Sequence, residues 1–170
     1  GVQTCALPIY ELDATVEVEG VGTVTVDVAW GGMAYIIMDA KSLGFAIRPD
    51  EARDICNLVE RIKQAASEQI AAVHPTNPDF PGITIAEITN PPERIDGVLT
   101  AKNTVVVSPG RLDRSPCGTG TSARMAVMHA RGQLQVGERF VHKSIIDSTF
   151  DCRIESTTTV GDKPAIVPSE

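Results

Sequence analysis

The chain has 170 residues, with 15 basic against 22 acidic side chains and a formal net charge of −7. That length predicts about one domain, and 42% hydrophobic residues are enough for one buried core, which excludes a disordered chain. The acidic balance excludes the basic stripe of a nucleic-acid binder, and no apolar run approaches the roughly 18 residues of a membrane span.

Residues 1–9, Gly-Val-Gln-Thr-Cys-Ala-Leu-Pro-Ile, have no basic segment and no long apolar stretch, so they do not read as a signal peptide. They back-translate to a common sequencing-library adapter. They are therefore expected to be a non-native leader, with the native segment beginning near Tyr10 and running through residues 10–170.

Ala14–Glu19 alternates apolar and polar residues, Gly20-Val21-Gly22 turns the chain, and Thr23–Val28 alternates again. This predicts a β-hairpin with a Gly-containing three-residue loop. Gly31-Gly32 breaks the chain beside Trp30, and Met33–Met38 reads as a third strand. Pro49, followed by Asp50 and Glu51, fits the first turn of a helix. Ile55, Leu58, Val59, Ile62, Ala66 and Ile70 recur at helical spacing, which predicts a helix over about 49–72. His74-Pro75 ends it, and a turn-rich loop follows at 76–81. Strands are expected at 82–88 and 99–107, separated by a loop at 90–94. A second helix is expected over about 119–132, then strands at 139–146, 149–158 and 164–167. A strand-rich chain with two helices is α+β.

The cysteines (Cys5, Cys56, Cys117, Cys152) and histidines (His74, His129, His142) are scattered, with no C-x-x-C pair and no H-x-x-x-H. No metal site and no redox pair is expected, and the thiols suit a reducing, cytoplasmic compartment. Cys56 and Cys152 read as helix and strand packing, and His74 and His129 as helix-end residues.

One segment carries chemistry: Asp113-Arg114-Ser115-Pro116-Cys117-Gly118-Thr119-Gly120-Thr121-Ser122-Ala123. Pro116 stops any helix before Cys117, and Gly118 and Gly120 permit close backbone approach. Cys117 thus falls at a helix start, where free N–H groups and the dipole favour an anion and lower a thiol pKa. The same N–H groups offer a cradle for a carboxylate or phosphate. A phosphatase loop would need its arginine one residue earlier than Arg124. A Walker loop would need a lysine. Gly118-x-Gly120-x-x-Ala123 fits a loose dinucleotide fingerprint, but about ten residues separate it from the preceding strand.

These residues closely resemble the second cysteine motif of the proline racemase family, which includes 4-hydroxyproline 2-epimerases and trans-3-hydroxyproline dehydratases. Gly31-Gly32, His74-Pro75-x-Asn77-Pro78 and Gly137-Glu138-Arg139-Phe140-Val141-His142 add to the likeness, which covers about residues 10–168. The resemblance implies a lobe of the diaminopimelate epimerase fold: a curved, mostly antiparallel sheet wrapped around a central helix. It implies proton transfer at Cα of proline or 4-hydroxyproline without a cofactor. Cys117 would be one of two acid/base residues, Gly118 and Thr119 would hold the substrate carboxylate through their N–H groups, and Asp113 would pair with the ring ammonium.

The family's first motif, Met-Cys-Gly-His, is absent from this sequence. The chain is therefore expected to be the second lobe, cut at both ends, and inactive by itself. The expected partners are a small-molecule substrate and a second copy in a homodimer, with no nucleic acid and no membrane. Retention of Cys117 favours epimerase over dehydratase. An anion- or nucleotide-binding module without chemistry, and an orphan lobe that self-associates, are the competing readings. Val107 reads either as lining the ring pocket or as strand core, and Ile85 stands where some relatives carry histidine.

Overall fold

The computed structural model describes residues 7–74, 76–79 and 82–169. Among these residues, ten strands and two α-helices follow the order β1 (Leu7–Val18), β2 (Gly22–Trp30), β3 (Ala34–Asp39), α1 (Ala52–Gln69), β4 (Ile85–Thr89), β5 (Glu93–Ile95), β6 (Val98–Val107), β7 (Arg111–Leu112), α2 (Gly118–Ala130), β8 (Phe140–Lys143), β9 (Thr149–Val160) and β10 (Lys163–Ser169). The fold is α+β, as the alternation of short apolar strands and two helices requires.

The strands hydrogen-bond in the order β4-β3-β2-β1-β10-β9-β8-β6-β5, and a further pairing of β4 with β6 closes eight of them into a barrel. Two neighbouring pairs, β3–β4 and β6–β8, are parallel. Parallel neighbours need a long crossover, and α1 supplies the first while α2 supplies the second.

Alternate residues of β3 join two different apolar clusters. Ala34, Ile36 and Met38 join a cluster with Ile55, Val59 and Ile62 of α1. Tyr35 and Ile37 join Ala123 and Val127 of α2. Both faces of β3 are thus covered, and Ala34–Met38 is an unbroken buried run. Helix α1 buries one stripe, Ile55, Val59, Ile62 and Ala66, at the spacing of a one-sided helix. Helix α2 buries nine consecutive residues, Gly120–Met128, so it is covered on every side.

The hairpin, α1, α2 and β9 fall where the sequence places them. The first helix is shorter than expected: Pro49–Glu51 forms a 3-10 turn closed by an Arg48–Glu51 capping box, and the α-helix ends at Gln69. The short strands β5 and β7 were not expected. Cys56 is half-buried, not core, because α1 turns Ile55 and Val59 inward instead. Cys152 is buried in β9. Trp30 packs edge-on to the His74 ring at 4.7 Å. Leu7 and Pro8, assigned to a leader by the sequence reading, pair with Ile166 and Ala165 of β10, and Ile9 pairs with Ala29. Cys5 lies outside the described residues.

Candidate active site

The loop Leu112–Cys117 and the first turn of α2 hold the candidate residues together. Asp113 accepts hydrogen bonds from the Ser115 N–H at 2.8 Å and the Ser115 hydroxyl at 2.9 Å. The Cys117 N–H in turn donates to the Ser115 Oγ at 3.0 Å. An aspartate bonding two residues on is a local turn device, so Asp113 builds the loop that delivers Cys117. Cys117 caps α2 with φ of 66° and ψ of 116°. A positive φ costs a non-glycine residue about 1–3 kcal/mol and concentrates at functional positions.

Glycines let the turn form. A Cβ on Gly120 would stand 3.4 Å from the Cys117 sulfur and 2.9 Å from Val105. One on Gly31 would stand 1.9 Å from the Thr119 carbonyl oxygen. The Gly31-Gly32 break thus lets the β2–β3 connection lie directly against the start of α2.

Three polar groups surround the sulfur. The Tyr35 hydroxyl is 3.3 Å away, the Thr119 hydroxyl 3.7 Å, and the Gly120 N–H hydrogen-bonds it. Tyr35 and Thr119 also share a hydrogen bond of 2.6 Å. The helix start alone predicts a Cys117 pKa below that of a free thiol. The structure corrects this. Burial pushes the thiol up, and the bonds from Tyr35, Gly120 and Thr119 only partly offset it. A helix start is a local feature of sequence, whereas the burial comes from β3, β4 and β6 packed against it. Burial likewise raises the Tyr35 pKa, with the Cys117 charge adding to it, so Tyr35 stays a protonated donor.

Tyr35 was not singled out in the sequence, where it is one aromatic in an apolar strand; only its two-residue alternation with Ile37 could have marked it as facing α2. Tyr35→Phe is expected to raise the Cys117 pKa further. The sign follows from the bond it removes: the Tyr35 hydroxyl favours the thiolate, so less thiolate is present at a given pH without it. Carboxymethylation of Cys117, followed against pH by peptide mass spectrometry, should show its midpoint about half to one unit higher, the equivalent of one net hydrogen bond.

Gly118 and Thr119 occupy the first turn of α2, where N–H groups lack intrahelical carbonyl partners. Their half-buried backbone therefore offers donors to an anion beside Cys117. Ile85 and Val107 belong to the apolar cluster that touches Cys117 and Tyr35. Among the described residues, no group of three or more His, Cys, Asp or Glu side chains could hold a metal ion, and no helix is long and apolar enough to cross a membrane.

The chain is a closed α+β barrel that presents a hydrogen-bonded thiol at the start of a buried helix. The family model described as Proline racemase matches residues 2–169, and the chain belongs to that family. A hydroxyproline epimerase from Agrobacterium vitis, solved with bound trans-4-hydroxy-L-proline, superposes with a TM-score of 0.89 at 35% identity, covering 98% of this chain and 47% of that one. A probable proline racemase from Agrobacterium radiobacter, solved with bound carbonate, superposes with a TM-score of 0.90 at 32% identity, covering 98% and 48%. The chain thus spans about half the length of these two relatives.

Proposed function

We propose that this chain is one lobe of a cofactor-independent racemase or epimerase that inverts Cα of proline or 4-hydroxyproline, with the sheet curving around α2 as the scaffold. The α-proton of an amino acid is very weakly acidic. Its removal needs the carboxylate charge neutralised and a base held against Cα. In this reading the substrate carboxylate lies on the N–H groups of Gly118 and Thr119, and Asp113 pairs with the ring ammonium. The Cys117 thiolate takes the Cα proton from one face and becomes the thiol. A second acid, from the part of the protein this chain does not span, gives a proton to the opposite face. The centre is inverted and no electron is lost or gained.

The observation that carries this reading is the convergence of Tyr35, Thr119 and Gly120 on the Cys117 sulfur. Burial favours the thiol while the bonds to the sulfur favour the thiolate, and a residue that both takes and gives a proton needs both forms within reach. A nucleotide-binding role fits less well. The dinucleotide fingerprint requires a strand that turns directly into the helix, but here β7 intervenes between β6 and α2.

Protection from alkylation separates the two. Pyrrole-2-carboxylate, a planar mimic of the deprotonated ring, is expected to slow carboxymethylation of Cys117 in the two-lobe protein, while NAD and ATP leave it unchanged. Protection by NAD or ATP and none by pyrrole-2-carboxylate would overturn the reading.

A further inference from the structure

Beneath the Cys117 loop the barrel interior holds a set of buried polar side chains that the proposed reaction does not use. Glu87, Asn103, Thr121 and His142 are fully or almost fully buried, and Arg124 is 4% exposed. They come from β4, β6, α2 and β8, and two of them, Asn103 and Thr121, meet on one atom. The Pro116 carbonyl oxygen accepts from the Asn103 amide at 3.2 Å and from the Thr121 hydroxyl at 3.1 Å.

The hydrogens of the chain Arg124–His142–Thr121–Pro116 can be placed in one way. Thr121 has a single hydroxyl hydrogen, and it goes to Pro116. Its oxygen then accepts from His142 Nδ1 at 2.7 Å. His142 Nε2 must therefore accept, and it does so from the Arg124 guanidinium at 3.1 Å. Burial, reinforced by that guanidinium, holds His142 well below its ordinary pKa, so the neutral tautomer persists. Arg124 also donates to the Lys102 carbonyl at 3.0 Å and to the Asn90 carbonyl, tying α2 to the strands. Asn103 donates its other amide hydrogen to Glu87 at 2.6 Å. Burial pushes Glu87 up to about 8, against the opposing pull of Arg124.

Buried polar chains are costly where unsatisfied and rigid where they are satisfied; here Glu87 Oε2 and Asn103 Oδ1 lack hydrogen-bond partners, while the atoms leading to Pro116 are paired. This one ends on the carbonyl that immediately precedes the strained residue bearing the sulfur. Rotation of the Pro116–Cys117 peptide would carry Sγ away from Tyr35 and Gly120.

We propose that Asn103, Thr121, His142 and Arg124 form a positioning relay that clamps the Pro116 carbonyl and thereby aims the Cys117 thiol. The proposal deepens the racemase reading, since it concerns the same sulfur. Its test reads the thiol directly and does not depend on any substrate. The groups acting on that sulfur are Tyr35 from β3, Glu87 from β4, and Thr119 and Gly120 from α2.

The test is the pH profile of Cys117 carboxymethylation in the 170-residue chain. Thr121→Val keeps the shape and removes the donor to Pro116; Thr121→Ser keeps the donor. The valine variant is expected to raise the midpoint by about half to one unit, a roughly three- to tenfold loss of thiolate at neutral pH, the scale of one hydrogen bond. The serine variant is expected to hold the wild-type midpoint. Asn103→Leu, which removes the other donor, should repeat the upward shift and serves if the valine variant does not fold. An unchanged midpoint in the folded valine or leucine variant would overturn the proposal. So would a shift in Thr121→Ser as large as in Thr121→Val, because packing alone would then explain it.

Discussion

Replacing Gly31 by alanine is expected to destabilise the chain by at least about 3 kcal/mol, the upper range for overpacking a closed core. The new Cβ would stand 1.9 Å from the Thr119 carbonyl oxygen and 2.8 Å from the Ala123 backbone nitrogen. Both are backbone atoms in the first turns of α2, so no flexible side chain can swing aside. Either the β2–β3 connection or the start of the buried helix must shift. For a domain of this size that corresponds to roughly 6–12 °C in Tm, read by thermal unfolding followed by circular dichroism. Gly82→Ala is the control. A Cβ there meets nothing within 4 Å, so its effect should stay within about 0.5 kcal/mol. Equal unfolding temperatures for the two variants would contradict the close approach of β2 to α2. Gly31 matters through space, whereas Gly32, with φ of 107°, matters through its backbone.

Cys117→Ser in the two-lobe protein is expected to lower racemase or epimerase turnover by at least about a thousandfold, within the range of a lost general acid/base. A serine hydroxyl fits the space beside Tyr35 and Thr119, but it does not ionise near neutral pH in a site whose burial already raises a thiol. The fold should survive, because the loop is held by Asp113, Ser115 and the Pro116 carbonyl, not by the sulfur. The substitution should therefore remove turnover while leaving Tm within about 2 °C, the equivalent of about 0.5 kcal/mol. Loss of turnover together with unfolding would point instead to a structural sulfur.

Much of this was readable from residues alone because it depends on local pattern. Alternation at 14–19 and 23–28 gives the hairpin, the spacing of Ile55, Val59 and Ile62 gives α1, and Pro116 beside two glycines gives the start of α2. What was not readable depends on partners far along the chain. The two-residue strand β7 exists only because β6 offers an edge at Val106 and Val107. The pairing of β4 with β6 that closes the barrel leaves no mark in either segment. Tyr35 sits 82 residues from Cys117. Glu87 and Asn103 interrupt apolar strands, and a polar residue at an inward position of such a strand was the one available signal for the relay. His142 read as an ordinary strand residue because its partners, Thr121 and Arg124, lie on another element. The thiol pKa shows the same division, since the helix start is legible locally while the burial that outweighs it is not.

In the proposed reaction the Cys117 sulfur exchanges hydrogen with Cα. The direct measurement is incorporation of solvent deuterium at Cα of proline and of trans-4-hydroxy-L-proline by the two-lobe protein, with wild type and Cys117→Ser side by side. Deuterium is expected at Cα of the inverted product with wild type, with loss of that incorporation by at least about a thousandfold in the variant. Undiminished exchange by folded Cys117→Ser protein would contradict it.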